Sequence, residues 1–252
     1  MSVTDLAPRA APLARLGWPL LNALQLLFTL LWTAGGISLA LLVLVLTRRR
    51  TLPLRMASRL WAPGLLRGAG ARLVVEGADA VDWSRPMVLV ANHQSIIDIC
   101  ALFRAVPVPL RFVQKQEMQR VPFVGWYARA MGMVFLDRAN PRAARRSLLA
   151  VVERLRQGET LCAFPEGTRS RDGRVGAFKT GPFQLALEAG VPVLPVAIAG
   201  SGAVLPPAGF RVRPGVIRVR FGTPIETAGR SPDARQALAR EAQAQVVALL
   251  QR

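Results

Sequence analysis

Residues 87–104 read Met-Val-Leu-Val-Ala-Asn-His-Gln-Ser-Ile-Ile-Asp-Ile-Cys-Ala-Leu-Phe-Arg, and the pattern changes period within this stretch. Met87 to Ala91 is a short unbroken apolar run, the length of a strand buried on both faces. Asn92 to Ser95 are turn-forming or polar, and from Ile97 to Arg104 the pattern becomes helical. The same alternation continues along the chain. Further strands are expected at Leu110 to Gln114, Met133 to Leu136, Thr160 to Phe164, Val193 to Ile198 and Val216 to Phe221, and helices at Pro141 to Gln157, Pro182 to Ala189 and Pro232 to Leu250. Short strands interleaved with helices predict an α/β fold: one domain, residues 68–252, with a mixed sheet flanked by helices. In such sheets ligands sit beyond the carboxyl ends of the strands, so the residues just after each strand are the ones to inspect.

Upstream lies a different kind of segment. No residue between Arg15 and Arg48 is charged, and Leu20 to Leu46 is dominated by Leu, Ala, Val and Ile. As a helix it extends roughly 45 Å, more than the ~30 Å hydrocarbon core of a bilayer. Residues 1–67 are therefore expected to form an N-terminal apolar helical membrane anchor and its basic flank. Two forms are open, a single span or a hairpin broken at Gly35-Gly36 that enters one leaflet. The run is too long for a signal peptide and has no small-residue cleavage site after it. Arg48, Arg49, Arg50, Arg55, Arg59 and Arg67 follow without an acidic residue before Glu76. Cations at this position place the rest of the chain on the cytoplasmic side of the inner membrane and attract anionic lipid.

Over the 252 residues, 33 Lys and Arg against 15 Asp and Glu give a net charge of +18, with 52% apolar residues. An apolar fraction this high excludes a disordered chain. The two cysteines, Cys100 and Cys162, exclude a disulfide scaffold and lack metal-ligand spacing, so no metal is expected. Only Lys115 and Lys179 are lysines, which makes the charge almost entirely guanidinium and suited to acidic partners. Nucleic acid is the least suitable of these, because Tyr127 is the sole tyrosine, aromatics are 6% of the chain, and the arginines are not interleaved with stacking rings.

His93, the only histidine, lies just after the first strand of this domain in Asn-His-Gln-Ser-Ile-Ile-Asp at 92–98. Residues five apart on a helix point about 140° away from each other, so His93 and Asp98 can meet only if one lies outside it. Ser95 and Asp98 have capping-box spacing, which starts the helix near Ile96 and leaves His93 in the preceding turn. Asp98 then either fixes the imidazole as a general base or merely caps the helix. After the 160–164 strand, Glu166, Gly167, Thr168, Arg169 and Ser170 form a turn with accessible N–H groups, hydroxyls and a guanidinium, a set that can grip a phosphate. Glu166 beside an anion is unexpected, and holding an arginine or a hydroxyl is the alternative task. Arg138 and Lys179 are further cations near strand ends.

Taken together, these blocks resemble the glycerolipid acyltransferases typified by 1-acyl-sn-glycerol-3-phosphate acyltransferase. The likeness rests on residues 92–98, on Gly132 with Phe135-Leu136-Asp137-Arg138, on Phe-Pro-Glu-Gly-Thr-Arg-Ser at 164–170, and on Val-Pro-Val-Leu-Pro-Val at 191–196, in that order. Lys115, Met118, Pro122 and Gly125-Trp126 also follow the bacterial pattern, and the resemblance covers roughly Leu73 to Gly222. It implies His93 as general base with Asp98 orienting it, Glu166, Gly167 and Arg169 as a glycerophosphate-binding block, Arg138 as a second phosphate contact, and a substrate pocket near Pro195. It implies a lysophospholipid acceptor, an acyl-CoA or acyl carrier protein donor, and no cofactor. Another acceptor, such as a lyso-ornithine lipid, is the alternative, since Ser201 to Arg252 carries nothing diagnostic.

Overall fold

The computed structural model describes residues 12–136 and 141–252. A single helix, α1 (Pro12–Thr47), comes first, and a helical run then returns as α2 (Thr51–Met56), a π turn (Ala57–Trp61) and α3 (Ala62–Gly68). The sheet strands are β1 (Ala71–Glu76), β2 (Val88–Ala91), β3 (Leu110–Lys115), β4 (Val134–Leu136), β5 (Thr160–Ala163), β6 (Val193–Ala199) and β7 (Gly215–Phe221). Between them lie α4 (Ile97–Ala105), α5 (Val124–Ala130), α6 (Pro141–Arg156), α7 (Gly181–Ala189) and α8 (Ser201–Val204), and α9 (Arg235–Leu250) closes the chain.

The strand order is β1-β7-β6-β2-β5-β3-β4, parallel at every pairing except the antiparallel β6–β7 pair, so the sheet is mixed as expected. The central strands β2, β5 and most of β6 are fully buried, which is why they read as continuous apolar runs. Side chains alternate between the faces. Leu89 and Ala91 join a core with α3 and α4, whereas Val88 and Val90 join one with α6, α7 and α9. His93 and the 164–170 turn follow the carboxyl ends of β2 and β5, which are paired neighbours.

Two features depart from the local reading. Strand β1 was not among the expected strands. It is a half-exposed edge strand in which Arg72 and Glu76 interrupt the apolar run. The hairpin alternative is not realised, because α1 runs unbroken through Gly35-Gly36 and the chain reverses only after Thr47, where Arg48 adopts a left-handed φ of 53° and its N–H bonds Leu44 O at 2.7 Å.

The segment Gly17–Thr47 is long and apolar enough to cross a membrane and is mostly exposed, unlike a soluble protein's core helix. One flank of α1 is docked on the domain. The Val212 N–H donates to Asn22 Oδ1 at 2.7 Å, Trp32 Nε1–H donates to Trp61 O at 3.1 Å, and Trp61 Nε1–H donates to Thr33 Oγ1 at 3.2 Å. Glycines in α3 allow this approach. A Cβ on Gly64 would lie 2.4 Å from the Trp32 ring, and one on Gly68 would lie 2.4 Å from Phe28.

Candidate active site

The helix after β2 begins at Ile97, which leaves His93 in the turn before it. Asp98, in the first turn of α4 and wholly buried, folds back across that turn. Its Oδ2 accepts from His93 Nδ1 at 2.8 Å, from the Gln94 N–H at 2.8 Å and from the Ser95 N–H at 2.9 Å. One oxygen thus takes both backbone N–H groups of the turn before the helix and the imidazole edge. The Ser95 hydroxyl accepts from the Ile97 N–H at 3.3 Å and donates to Leu205 O, which ties the turn to the loop after α8.

The turn is also stitched to its neighbours in the sheet. Asn92 is buried and pairs both ways with Ile198, its Nδ2 donating to Ile198 O at 2.9 Å and its Oδ1 accepting from the Ile198 N–H at 2.8 Å. This link continues the β2–β6 pairing beyond Ala91↔Val196. The Phe164 ring stacks on the imidazole with centroids 3.9 Å apart and planes at 16°, and Phe112 stacks behind Phe164 at 6.1 Å. The ring of His93 is thereby held on one face by Phe164 and at one edge by Asp98.

Glu166 lies beneath the same turn. Its Oε1 accepts from the His93 N–H at 2.8 Å and its Oε2 from the Gly176 N–H at 2.8 Å, while the Ser170 N–H donates to His93 O at 2.7 Å. Each carboxylate oxygen is therefore engaged by backbone, and no arginine among the described residues is paired with it. Burial raises the Glu166 carboxyl pKa, and the N–H groups of Gly176 and His93 offset part of that rise. Through these bonds Glu166 locks the loops after β2 and β5 together.

Gly167, with a φ of 74°, turns the chain so that Thr168 and Arg169 project as exposed residues from the same loop. Lys179 is exposed, and its N–H returns to Pro165 O at 3.0 Å, which brings its backbone beside the loop. Arg138 lies outside the described residues. Pro195 sits within β6 opposite Val90, and its carbonyl accepts from the Gly222 N–H at 2.8 Å.

Cys100 and Cys162 are both buried. Burial, with Asp98 nearby, pushes the Cys100 thiol up to about 12 and the Cys162 thiol higher still, so neither supplies a nucleophilic thiolate. Among the described residues no group of three His, Cys, Asp or Glu side chains is placed to hold a metal ion.

Asn92, Phe164 and the bonding of Glu166 are the parts of this arrangement that residue types alone did not reveal. Their partners lie on another strand or in loops distant in sequence, and only a polar Asn at the end of an apolar strand hints at one of them.

Comparison with known proteins points in one direction. The sequence profile of the Acyltransferase family matches residues 72–199. A 1-acyl-sn-glycerol-3-phosphate acyltransferase of Pseudomonas aeruginosa is 35% identical over 179 residues, 71% of this chain and 68% of that protein. A chloroplast protein of the same description from Arabidopsis thaliana is 38% identical over 136 residues, 54% of this chain. The chain spans 38% of that protein's length and 35% of a Brassica napus relative's. Among solved structures, the crystal structure of the 1-acyl-sn-glycerophosphate acyltransferase from Thermotoga maritima superposes with a TM-score of 0.78 at 29% identity, covering 93% of this chain and 97% of that one.

Proposed function

Because the chain belongs to the acyltransferase family, we propose that it transfers a fatty acyl group from an acyl thioester to the free sn-2 hydroxyl of 1-acyl-glycerol-3-phosphate, making phosphatidic acid. The observation that carries this reading is the 2.8 Å bond between His93 Nδ1 and the buried Asp98 Oδ2, placed where the carboxyl ends of two neighbouring strands open a site.

A proton held on Nδ1 by Asp98 leaves Nε2 with its lone pair free. Nε2 removes the proton of the acceptor hydroxyl as the oxygen attacks the thioester carbonyl. The tetrahedral intermediate collapses, the carbon–sulfur bond breaks, and the departing thiolate takes the proton back from Nε2. The products are an ester and a free thiol, from coenzyme A or acyl carrier protein, and His93 returns to its starting state. No acyl-enzyme forms, in keeping with the two inert thiols.

The acceptor phosphate is assigned to the loop after β5, through Arg169, the Thr168 hydroxyl and the backbone opened by Gly167, with Lys179 and Arg138 as further cations. Glu166 acts on substrate indirectly, by fixing the backbone of His93. The apolar face of α1 supports membrane association, with the Arg48–Arg50 cluster and the domain on the cytoplasmic side of the inner membrane. Acceptor and product both keep their acyl chains in the bilayer beside the site.

The test is a panel of lysolipids, lysophosphatidate and lyso-ornithine lipid among them, offered to the purified full-length chain with labelled acyl-CoA and acyl carrier protein. Phosphatidic acid as the principal product, abolished in a folded His93→Ala variant, is the expected result. Preferential acylation of a phosphate-free acceptor, or turnover retained without the imidazole, would overturn the reading.

A further inference from the structure

At the far end of α1 from Asn22, the reversal into α2 encloses an open hollow of ≈ 500 Å³ lined by Thr47, Arg49, Thr51, Leu52 and Arg55. We propose that this hollow binds the phosphate of a membrane phospholipid, at a site separate from the one around His93. The inference does not depend on the acyl-transfer reading.

The local backbone builds the hollow. Thr47 Oγ1 donates to Val43 O at 2.7 Å and accepts from the Arg49 N–H at 3.3 Å, and Arg48 takes the left-handed φ of 53° that a non-glycine residue adopts only at a cost. The reversal places Arg49 and Arg55 on the walls of one hollow, with a threonine hydroxyl from each of the two helices. Neither guanidinium is paired with a carboxylate among the described residues, and no acidic residue occurs between Asp5 and Glu76. Two unpaired guanidinium groups beside the Thr51 hydroxyl match the acceptor oxygens of a phosphate, the Thr47 hydroxyl being already committed to Val43 O.

The surroundings select a lipid phosphate over a free one. Leu52, itself in the lining, is 48% exposed, and Val45 and Leu46, just before Thr47 in α1, are 71% and 74% exposed. A ligand whose phosphate lies next to acyl chains engages the cations and covers this apolar rim together. Free phosphate leaves the rim wet.

Topology separates the hollow from the catalytic site. The guanidinium groups of Arg50 and Arg154 both lie beside Gly132, which precedes the amino end of β4. His93 follows the carboxyl end of β2, and β2, β5, β3 and β4 run parallel, so the two sites lie at opposite ends of these strands.

The experiment titrates the full-length chain, in neutral detergent, with dihexanoyl-phosphatidylglycerol and counts bound lipid by native mass spectrometry, with inorganic phosphate in a parallel arm. One lipid per chain is expected. Arg49→Gln with Arg55→Gln should weaken it at least about tenfold through loss of charge-assisted bonds, and Arg169→Ala should leave it unchanged. Both arginines are exposed, and the single Arg55→Gln variant, expected to weaken binding at least about threefold, covers the case of a poorly folded double variant. Unchanged binding in the double variant, or loss of the lipid in Arg169→Ala, overturns the proposal. Inorganic phosphate bound as tightly as the lipid overturns its lipid character.

Discussion

Replacing Asp98 separates the two tasks that its Oδ2 performs. In Asp98→Ala, the N–H groups of Gln94 and Ser95 lose their acceptor inside the fold, and the His93 ring loses its edge contact. Each orphaned buried N–H costs about 1–3 kcal/mol, so the two backbone groups set a loss of roughly 2–6 kcal/mol in unfolding free energy. In Asp98→Asn the amide oxygen can take the place of Oδ2 and keep both backbone bonds. Charge assistance is lost, the desolvation of a wholly buried carboxylate is relieved, and the amide NH2 goes where Oδ1 now has no partner, so the net change should be about 1–2 kcal/mol. Activity should fall far more steeply. Without an anion to stabilise the imidazolium, the rate should drop about 10³–10⁴-fold, as when a triad aspartate is replaced by asparagine. Thiol release from acyl-CoA under single turnover gives the rate, and urea unfolding gives the stability. Activity within tenfold of wild type in a folded Asp98→Asn variant would reduce Asp98 to a helix cap and refute the reasoning.

Three further outcomes are expected. Arg169→Ala should raise the acceptor KM by about tenfold or more with little change in the donor KM, because one charge-assisted phosphate contact is worth roughly 1.5–3 kcal/mol; steady-state kinetics with each substrate varied in turn would expose the opposite pattern. Phe164→Leu removes the ring stacked on His93 and should lower kcat by about 10- to 100-fold while the melting temperature moves by a few degrees, since a small misplacement of a catalytic group carries a penalty of that order; an unchanged kcat would show that Asp98 alone positions the imidazole. Gly64→Ala should cost about 1–3 kcal/mol by pushing the Trp32 ring away from α3, read as a lower urea midpoint and faster proteolysis within α1. No change in either would mean that α1 is not docked through this contact.

The strands that were legible in the sequence are those buried on both faces. Thr160–Ala163 and Val88–Ala91 announce themselves as short apolar runs and lie at the sheet centre, and their edges moved by a residue. What escaped was amphipathic. The return helices read only as a basic flank because Arg55, Arg59 and Arg67 punctuate them, yet Leu54, Ala57, Ala62, Leu65 and Leu66 face the core. Edge strand β1 was hidden for the same reason.

At the site, local spacing and helix periodicity put His93 outside the helix but left open whether Asp98 reaches it or only caps the helix. Glu166 and Asn92 could not be placed that way, because their partners stand 73 and 106 residues away and meet them only through the sheet order. The persistence of α1 through Gly35-Gly36 is likewise a tertiary effect. Gly36 faces the Trp61 side chain, so the helix is packed at this point and does not open a bend.

The deep burial of Cys100 and Cys162 has a practical side. A maleimide or nitroxide reagent finds no native thiol to modify while the chain is folded, so the wild-type sequence already serves as a silent background for spectroscopy. A single Leu46→Cys or Leu27→Cys change on the apolar helix would carry the reporter alone. Quenching by brominated lipids would then give the immersion depth of each position, with no prior stripping of cysteines from the core.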